Sequence, residues 1–171
     1  AAKMQILDVD HPDIVEFINA KQVEEKKAWA LIEQGYNGGF NVPGGAYDSA
    51  FFQNSNLSVR VTDEFMEAVE AGKKFATRSR TDGNPVELLD ARTILRDISE
   101  GTWICGDPGV QFDTMINRWH TCPNSGRING SNPCSEYMHL DDSACNLASI
   151  NLLKFLTESG EFEIDRFKHA V

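Results

Sequence analysis

Polar and apolar residues alternate along this chain at two periods, and the switches between them mark out strands and helices. Lys3 to Val9 reads as a short strand, and Asp10 is placed to cap a helix with His11 and Pro12 in its first turn. Ile14, Phe17 and Ile18 fall three and four apart on one face, and the helix either runs on through Lys26–Ile32 or breaks near Gln22. Leu57, Val59 and Val61 alternate with Ser58 and Arg60, the period of a half-buried strand. Thr62 caps a second helix with Phe65, Met66 and Val69 on one face, ended by Gly72. Lys73 to Val86 is polar and turn-like. Asp90 opens a third helix with Ala91, Ile94, Leu95 and Ile98 in a stripe and Gly101 just past its end. Trp103-Ile104-Cys105 reads as a brief strand, and Gly106-Asp107-Pro108-Gly109 as a tight turn. Strands and helices taking turns in this way predict an α/β fold with at least partly parallel strands.

Composition narrows the function. The 171 residues are 41% apolar and 25% charged, enough to build a real core in a chain of single-domain size. Sixteen basic residues against twenty-six acidic ones leave a net charge of −10. That excludes a broad nucleic-acid surface, which needs clustered cations, but leaves room for a small nucleotide. No apolar run is long enough to span a bilayer and no basic-then-apolar leader opens the chain, so it is expected to be soluble and cytoplasmic, with no membrane partner. A strand already under way at Lys3, and a helix-like pattern from Ile164 that stops uncapped at Val171, predict one piece (residues 1–171) cut at both ends from a longer domain.

Glycine, cysteine and histidine offer several false leads. Tyr36 to Ala50 carries Asn37-Gly38-Gly39 and Pro43-Gly44-Gly45, but without a following Lys-Ser/Thr it reads as a turn-rich surface loop and not a phosphate cradle. Cys105, Cys122, Cys134 and Cys145 stand 17, 12 and 11 positions apart and include no C-x-x-C pair, so neither a zinc site nor static disulfides are expected. His11, His120, His139 and His169 have no facing spacing, and no metal site is expected from them. Trp29, Trp103 and Trp119 read as core or rim aromatics.

The distinctive chemistry lies between Gly126 and Asn151. After Ile128 helical periodicity stops, and small polar residues read as an extended loop between short strands. In extended backbone Asn132, Cys134 and Glu136, two apart, would project to one side, so an amide, a thiol and a carboxylate would share a small volume. Pro133 stiffens the approach. A carboxylate beside a thiol disfavours thiolate, which suits hydrogen-atom transfer better than nucleophilic attack. The plain alternative is a packing thiol beside a solvated acid.

Ser131-Asn132-Pro133-Cys134-Ser135-Glu136, followed by Ala144-Cys145-Asn146-Leu147-Ala148-Ser149-Ile150-Asn151-Leu152, resembles the finger loop and following strand of ribonucleotide reductase catalytic subunits. Asp8–Ile14, Asn56–Val59 with Val61–Met66, and Ala91–Gly109 with Asn117 resemble that family in the same order, leaving only the stretch between Gln22 and Phe52 uncovered. Pro133, and Asp107-Pro108-Gly109 where other classes usually have Leu and Pro-Tyr, resemble the adenosylcobalamin-dependent class II.

The resemblance implies part of a ten-stranded α/β barrel, with a finger loop at about 131–137 entering its centre. It implies an oxidoreductase that turns ribonucleoside di- or triphosphates into deoxyribonucleotides for DNA synthesis. Cys134 would form the thiyl radical that removes the ribose 3′ hydrogen, Glu136 would take the 3′-hydroxyl proton, and Asn132 with Ser131 would bind substrate. Cys145 would be one of the redox-active pair that ends as a disulfide. Adenosylcobalamin would start the radical chemistry. A deoxynucleotide or ATP effector, a thioredoxin-type reductant and a homodimer are the partners that fit the full protein.

Departures from the pattern matter too. The partner of Cys145 should lie upstream, yet no cysteine precedes Cys105. Specificity-loop residues would fall before Ala1, and phosphate-binding and relay residues after Val171. The isolated chain is therefore expected to be inactive. Three other readings stand beside this one: a class I large-subunit fragment, a non-catalytic nucleotide-binding remnant of the same fold, and a thiol hydrolase pairing Cys134 with His139 or His120.

Overall fold

A computed structural model describes residues 3–171. Three parallel strands form its frame: β1 (Lys3–Asp8), β2 (Ser55–Val61) and β5 (Gly109–Phe112), in the order β1-β2-β5. Parallel neighbours need long crossovers. Helix α1 (Ile14–Glu33) lies on the first; α2 (Asp63–Ala71), the antiparallel pair β3 (Lys74–Arg78) and β4 (Pro85–Asp90), and α3 (Ala91–Cys105) lie on the second. The α/β class is as expected.

The sheet has two unlike faces. Val59 and Val61 of β2 pack into a core with Val9, Ile14, Ile18, Phe65, Ile94 and Ile98, where Phe65 meets Phe75 of β3 edge to face at 5.3 Å. Asn56, Ser58 and Arg60 alternate with these residues and take the opposite face. Arg60 is paired in register with Gln111 of β5, and Ser58 with Gly109. A Cβ at Gly109 would stand 2.9 Å from Ser58 Oγ, so the serine is accommodated only because its neighbour lacks a side chain.

Helix boundaries follow local chemistry in two places as expected. Thr62 Oγ1 accepts from Phe65 N (3.3 Å) and Gly72 closes α2 at φ 64°; Asp90 Oδ1 accepts from Thr93 N (2.8 Å) at the start of α3. Those bonds satisfy amides that have no intrahelical partner.

Elsewhere the expectations need correction. Helix α1 starts at Ile14 with Asp13, not Asp10, at its cap, and it continues unbroken to Glu33. Helix α3 does not stop at Gly101; it absorbs Trp103–Cys105, expected as a strand, and ends at Gly106 with φ 81°. Gly101 is there for packing: a Cβ would sit 3.0 Å from Asp107 O and 3.3 Å from Pro108 Cδ, so its absence lets the turn before β5 rest on the helix. Lys73–Val86 is not merely turn-like, because it holds β3 and opens β4. Thr77 is fully buried, and its hydroxyl accepts from Glu87 N at 3.2 Å.

After β5 come α4 (Asp113–Arg118), the two-residue strands β6 (Gly130–Ser131) and β7 (Met138–His139), which pair antiparallel, and a final helix, α5 (Ile164–Ala170). The segment from Ala144 to Leu152, expected to contain a strand, has none. A strand needs a ladder partner for its amides, and none adjoins this stretch among the described residues; Leu147 is 79% exposed. Beyond it Phe155, Phe162 and Phe167 form a small aromatic cluster, the rings of Phe155 and Phe167 meeting at 5.4 Å.

Candidate active site

Between β6 and β7 the chain makes a tongue of six residues, Asn132 to Tyr137. Asn132 O accepts from Ser135 N at 3.0 Å, closing a turn with Pro133 and Cys134 in its centre. Ser135 follows at φ 61°, in the left-handed region that non-glycine residues seldom occupy. Asn132 N then donates to Tyr137 O (3.3 Å), and Tyr137 N returns a bond to Asn132 Oδ1 (3.0 Å). Because an amide N–H requires an acceptor, that bond fixes the side-chain orientation of Asn132 and leaves its Nδ2 group for an outside acceptor.

This geometry confirms a loop at about 131–137 but alters how its groups could meet. Cys134 and Glu136 are exposed, and Asn132 is half-buried. Simple alternation along extended backbone does not operate here, since the chain turns between Asn132 and Ser135. Any convergence of amide, thiol and carboxylate comes from the bend. Cys145 is half-buried in the irregular segment that follows β7, and all four cysteines are free thiols.

The tongue rests on the polar face of the sheet. Arg60 is 3% exposed, and its guanidinium donates to three acceptors: Asp113 Oδ1 at 2.6 Å, Gln111 Oε1 at 3.0 Å and Ile128 O at 2.6 Å. Such complete pairing is what a buried cation requires. Asn117 of α4 holds Ile128 from both sides, accepting from its N (3.0 Å) and donating to its O (3.1 Å). Gln111 is 2% exposed and passes the order on: with Oε1 taken by Arg60, its Nε2 donates to Ser131 Oγ (2.7 Å) and Ser135 Oγ (3.2 Å). Ser131 is buried, and its hydroxyl donates to Asn132 O at 2.8 Å. A second strut comes from β2, where Asn56 Nδ2 donates to Pro133 O at 3.1 Å.

Sequence reasoning missed Arg60, Gln111, Asn56 and Asn117 as parts of this site. Arg60 was read as the polar half of a half-buried strand. A signal did exist, because a strand with parallel partners on both sides is expected to be near-continuously apolar, and Ser58 and Arg60 break that rule.

Beside the tongue a cleft of 530 Å³ opens along β5 and α4, lined by Val110, Phe112, Met115, Ile128 and Met138 together with Gln111. Cys134 and Glu136 do not line it. Cys105, at the end of α3, is set apart from the tongue: burial pushes its thiol above the ordinary range, and its Sγ donates to Gly101 O and Asp107 O, each at 3.4 Å. That is the environment of an inert packing thiol. Among the described residues no group of three or more His, Cys, Asp or Glu side chains could hold a metal ion, and no helix is long and apolar enough to cross a membrane.

Comparison with known proteins bears on the whole chain. A family model described as "Ribonucleotide reductase, barrel domain" matches residues 1–171. A protein of Rhodopirellula baltica named vitamin B12-dependent ribonucleotide reductase is 60% identical over 99% of this chain and 16% of its own length. One of the same name from Streptomyces clavuligerus is 55% identical over all of this chain and 18% of its own length. A vitamin B12-dependent ribonucleoside-diphosphate reductase of Thermoplasma acidophilum is 31% identical over 99% of the chain and 19% of its length. The chain thus spans less than a fifth of each of these relatives.

Proposed function

The chain belongs to the ribonucleotide reductase barrel-domain family, and on that premise we propose that residues 1–171 are an internal piece of the catalytic barrel of a class II, vitamin B12-dependent reductase, carrying its radical-forming cysteine. What supports this most is Cys134 itself: an exposed thiol at the tip of a bend whose base is tied into buried polar groups. A hydrogen-atom abstractor has to be reachable by substrate and yet fixed in place, and few cysteines meet both needs.

In this reading the Cys134 thiyl takes the 3′ hydrogen atom of a bound ribonucleotide, so an S–H bond forms as the C3′–H bond breaks. Glu136 accepts the 3′-hydroxyl proton as general base. Asn132 binds the sugar through Nδ2, and Ser131 supports it from the base of the tongue. The 2′-hydroxyl then leaves as water and a hydrogen takes its place on C2′. A thiol pair supplies the two protons and two electrons this needs and ends as a disulfide, Cys145 being one member, while Glu136 returns its proton to the 3′ oxygen. Return of the hydrogen from Cys134 to C3′ completes the deoxyribonucleotide.

The cofactor of the full-length enzyme is adenosylcobalamin. Its cobalt is carried by its own corrin ring, so it needs no protein cluster of metal ligands. When bound it would supply the radical initiation, and the residues of the tongue would do the positioning and proton transfer. A nucleotide effector, a thioredoxin-type reductant, a homodimeric assembly and a cytoplasmic location complete the proposal. The test is a full-length reductase containing this segment. Wild type should form deoxyribonucleotide only when adenosylcobalamin and a dithiol are present. Glu136→Gln should lower kcat by about 10²- to 10⁴-fold, the usual contribution of a general base, with KM little changed. A variant with undiminished kcat removes Glu136 from the reaction.

A further inference from the structure

We propose that Gln111 is a positioning residue for Cys134, linking the buried frame of the sheet to the bend that carries the thiol. The proposal rests on the reading of Cys134 as the reacting group. The chain of bonds is continuous. Asp113 and the Ile128 carbonyl immobilise Arg60; Arg60 Nη1 fixes Gln111 Oε1; Gln111 Nε2 then reaches both Ser131 and Ser135, the residues that bracket the turn at Asn132–Ser135.

Two features make this more than packing. The Gln111 amide cannot be reversed, because its oxygen faces a guanidinium that can only donate. In addition, Ser135 holds an unfavourable left-handed conformation (φ 61°) directly after Cys134, and such a conformation persists only where the surroundings over-determine it. The Gln111–Ser135 bond, at 3.2 Å, supplies that constraint from a buried donor. Cys134 has no such anchor in its own side chain, which is exposed. The position of its sulfur therefore depends on the backbone on either side of it. Gln111 touches neither sugar nor thiol in this scheme; it acts through the two serines.

The experiment uses the full-length reductase with Gln111→Met, which keeps the length of the side chain and removes its hydrogen bonds. Ser135→Ala, the double variant and Cys134→Ser are measured beside it. Displacement of a reacting group by about 1 Å costs on the order of 100-fold in rate, so Gln111→Met should lower kcat by about 10- to 100-fold. The KM for ribonucleotide should stay within about twofold, a split that simple loss of fold does not produce. Ser135→Ala should lower kcat at least about threefold, and the double variant should be no worse than Gln111→Met by more than about twofold, since both break one link.

Should Gln111→Met not fold, the kcat–KM split of Ser135→Ala decides by the same criterion. A kcat within twofold of wild type in the folded variants, while Cys134→Ser is dead, overturns the positioning role alone. Turnover by Cys134→Ser overturns the reading beneath it.

Discussion

Replacing Cys134 by serine in a full-length reductase should reduce deoxyribonucleotide formation to assay background while leaving substrate affinity within about threefold, because removing a group that acts only at the reacting centre lowers kcat and not uniform binding. Serine has the same shape and nearly the same size, and Cys134 is exposed, so the substitution creates no cavity and buries no new polar group. The loss would come from chemistry: an O–H bond is too strong to be opened and remade in exchange for a carbon-bound hydrogen, whereas an S–H bond is not. Cys122, also exposed and in the loop after α4, provides the control. Its serine variant should turn over like wild type, which separates the special thiol from a general sensitivity to thiol loss. Product formation in a timed assay reads both.

The largest effect on stability is expected at Arg60. Arg60→Met leaves the Asp113 carboxylate and the acceptors on Gln111 and Ile128 without their shared donor in a site that is almost fully buried. Removing one partner of a buried ion pair costs about 3–5 kcal/mol. Arg127 also pairs with Asp113, but more than half of its side chain is in solvent, so it offsets only a part. Lysine should not rescue, since a single ammonium cannot reach three acceptors held for a planar fork. Hydrogen exchange at the amides of β2 and β5 in a full-length protein would measure the change: at about 1.36 kcal/mol per tenfold, protection should fall by roughly 10²- to 10⁴-fold. Protection within tenfold of wild type would mean that the pair contributes little.

How much of this was legible beforehand varied with the physics involved. Caps at Thr62 and Asp90 were readable because a single side chain satisfies a single amide close by in sequence. The tongue was readable because Gly130 to Glu136 lacks any helical period and because the run resembles a known family. The β3–β4 pair was not, since only Phe75 and Thr77 turn inward and the surrounding polar residues masked the alternation. Gly101 misled for a related reason: its lack of a side chain serves a contact with Asp107 and Pro108, which no local pattern reveals. Least legible was the polar face of the sheet. Arg60, Gln111 and Ser131 lie 51 and 20 positions apart in sequence, and only the parallel register of β2 and β5 brings them together. The common projection of Asn132, Cys134 and Glu136 was argued from extended backbone, whereas the chain turns between Asn132 and Ser135, a bend that alternation along a strand does not reveal.

A structure of the full-length reductase with ribonucleotide bound would measure the central point directly. Cys134 Sγ should lie about 3–3.5 Å from ribose C3′, the separation of a near-attack pair. A Glu136 oxygen should lie about 2.6–3.2 Å from the 3′-hydroxyl, within hydrogen-bond reach. Sulfur and carboxylate on opposite sides of the bend, or a sugar seated away from the tongue, would contradict the account.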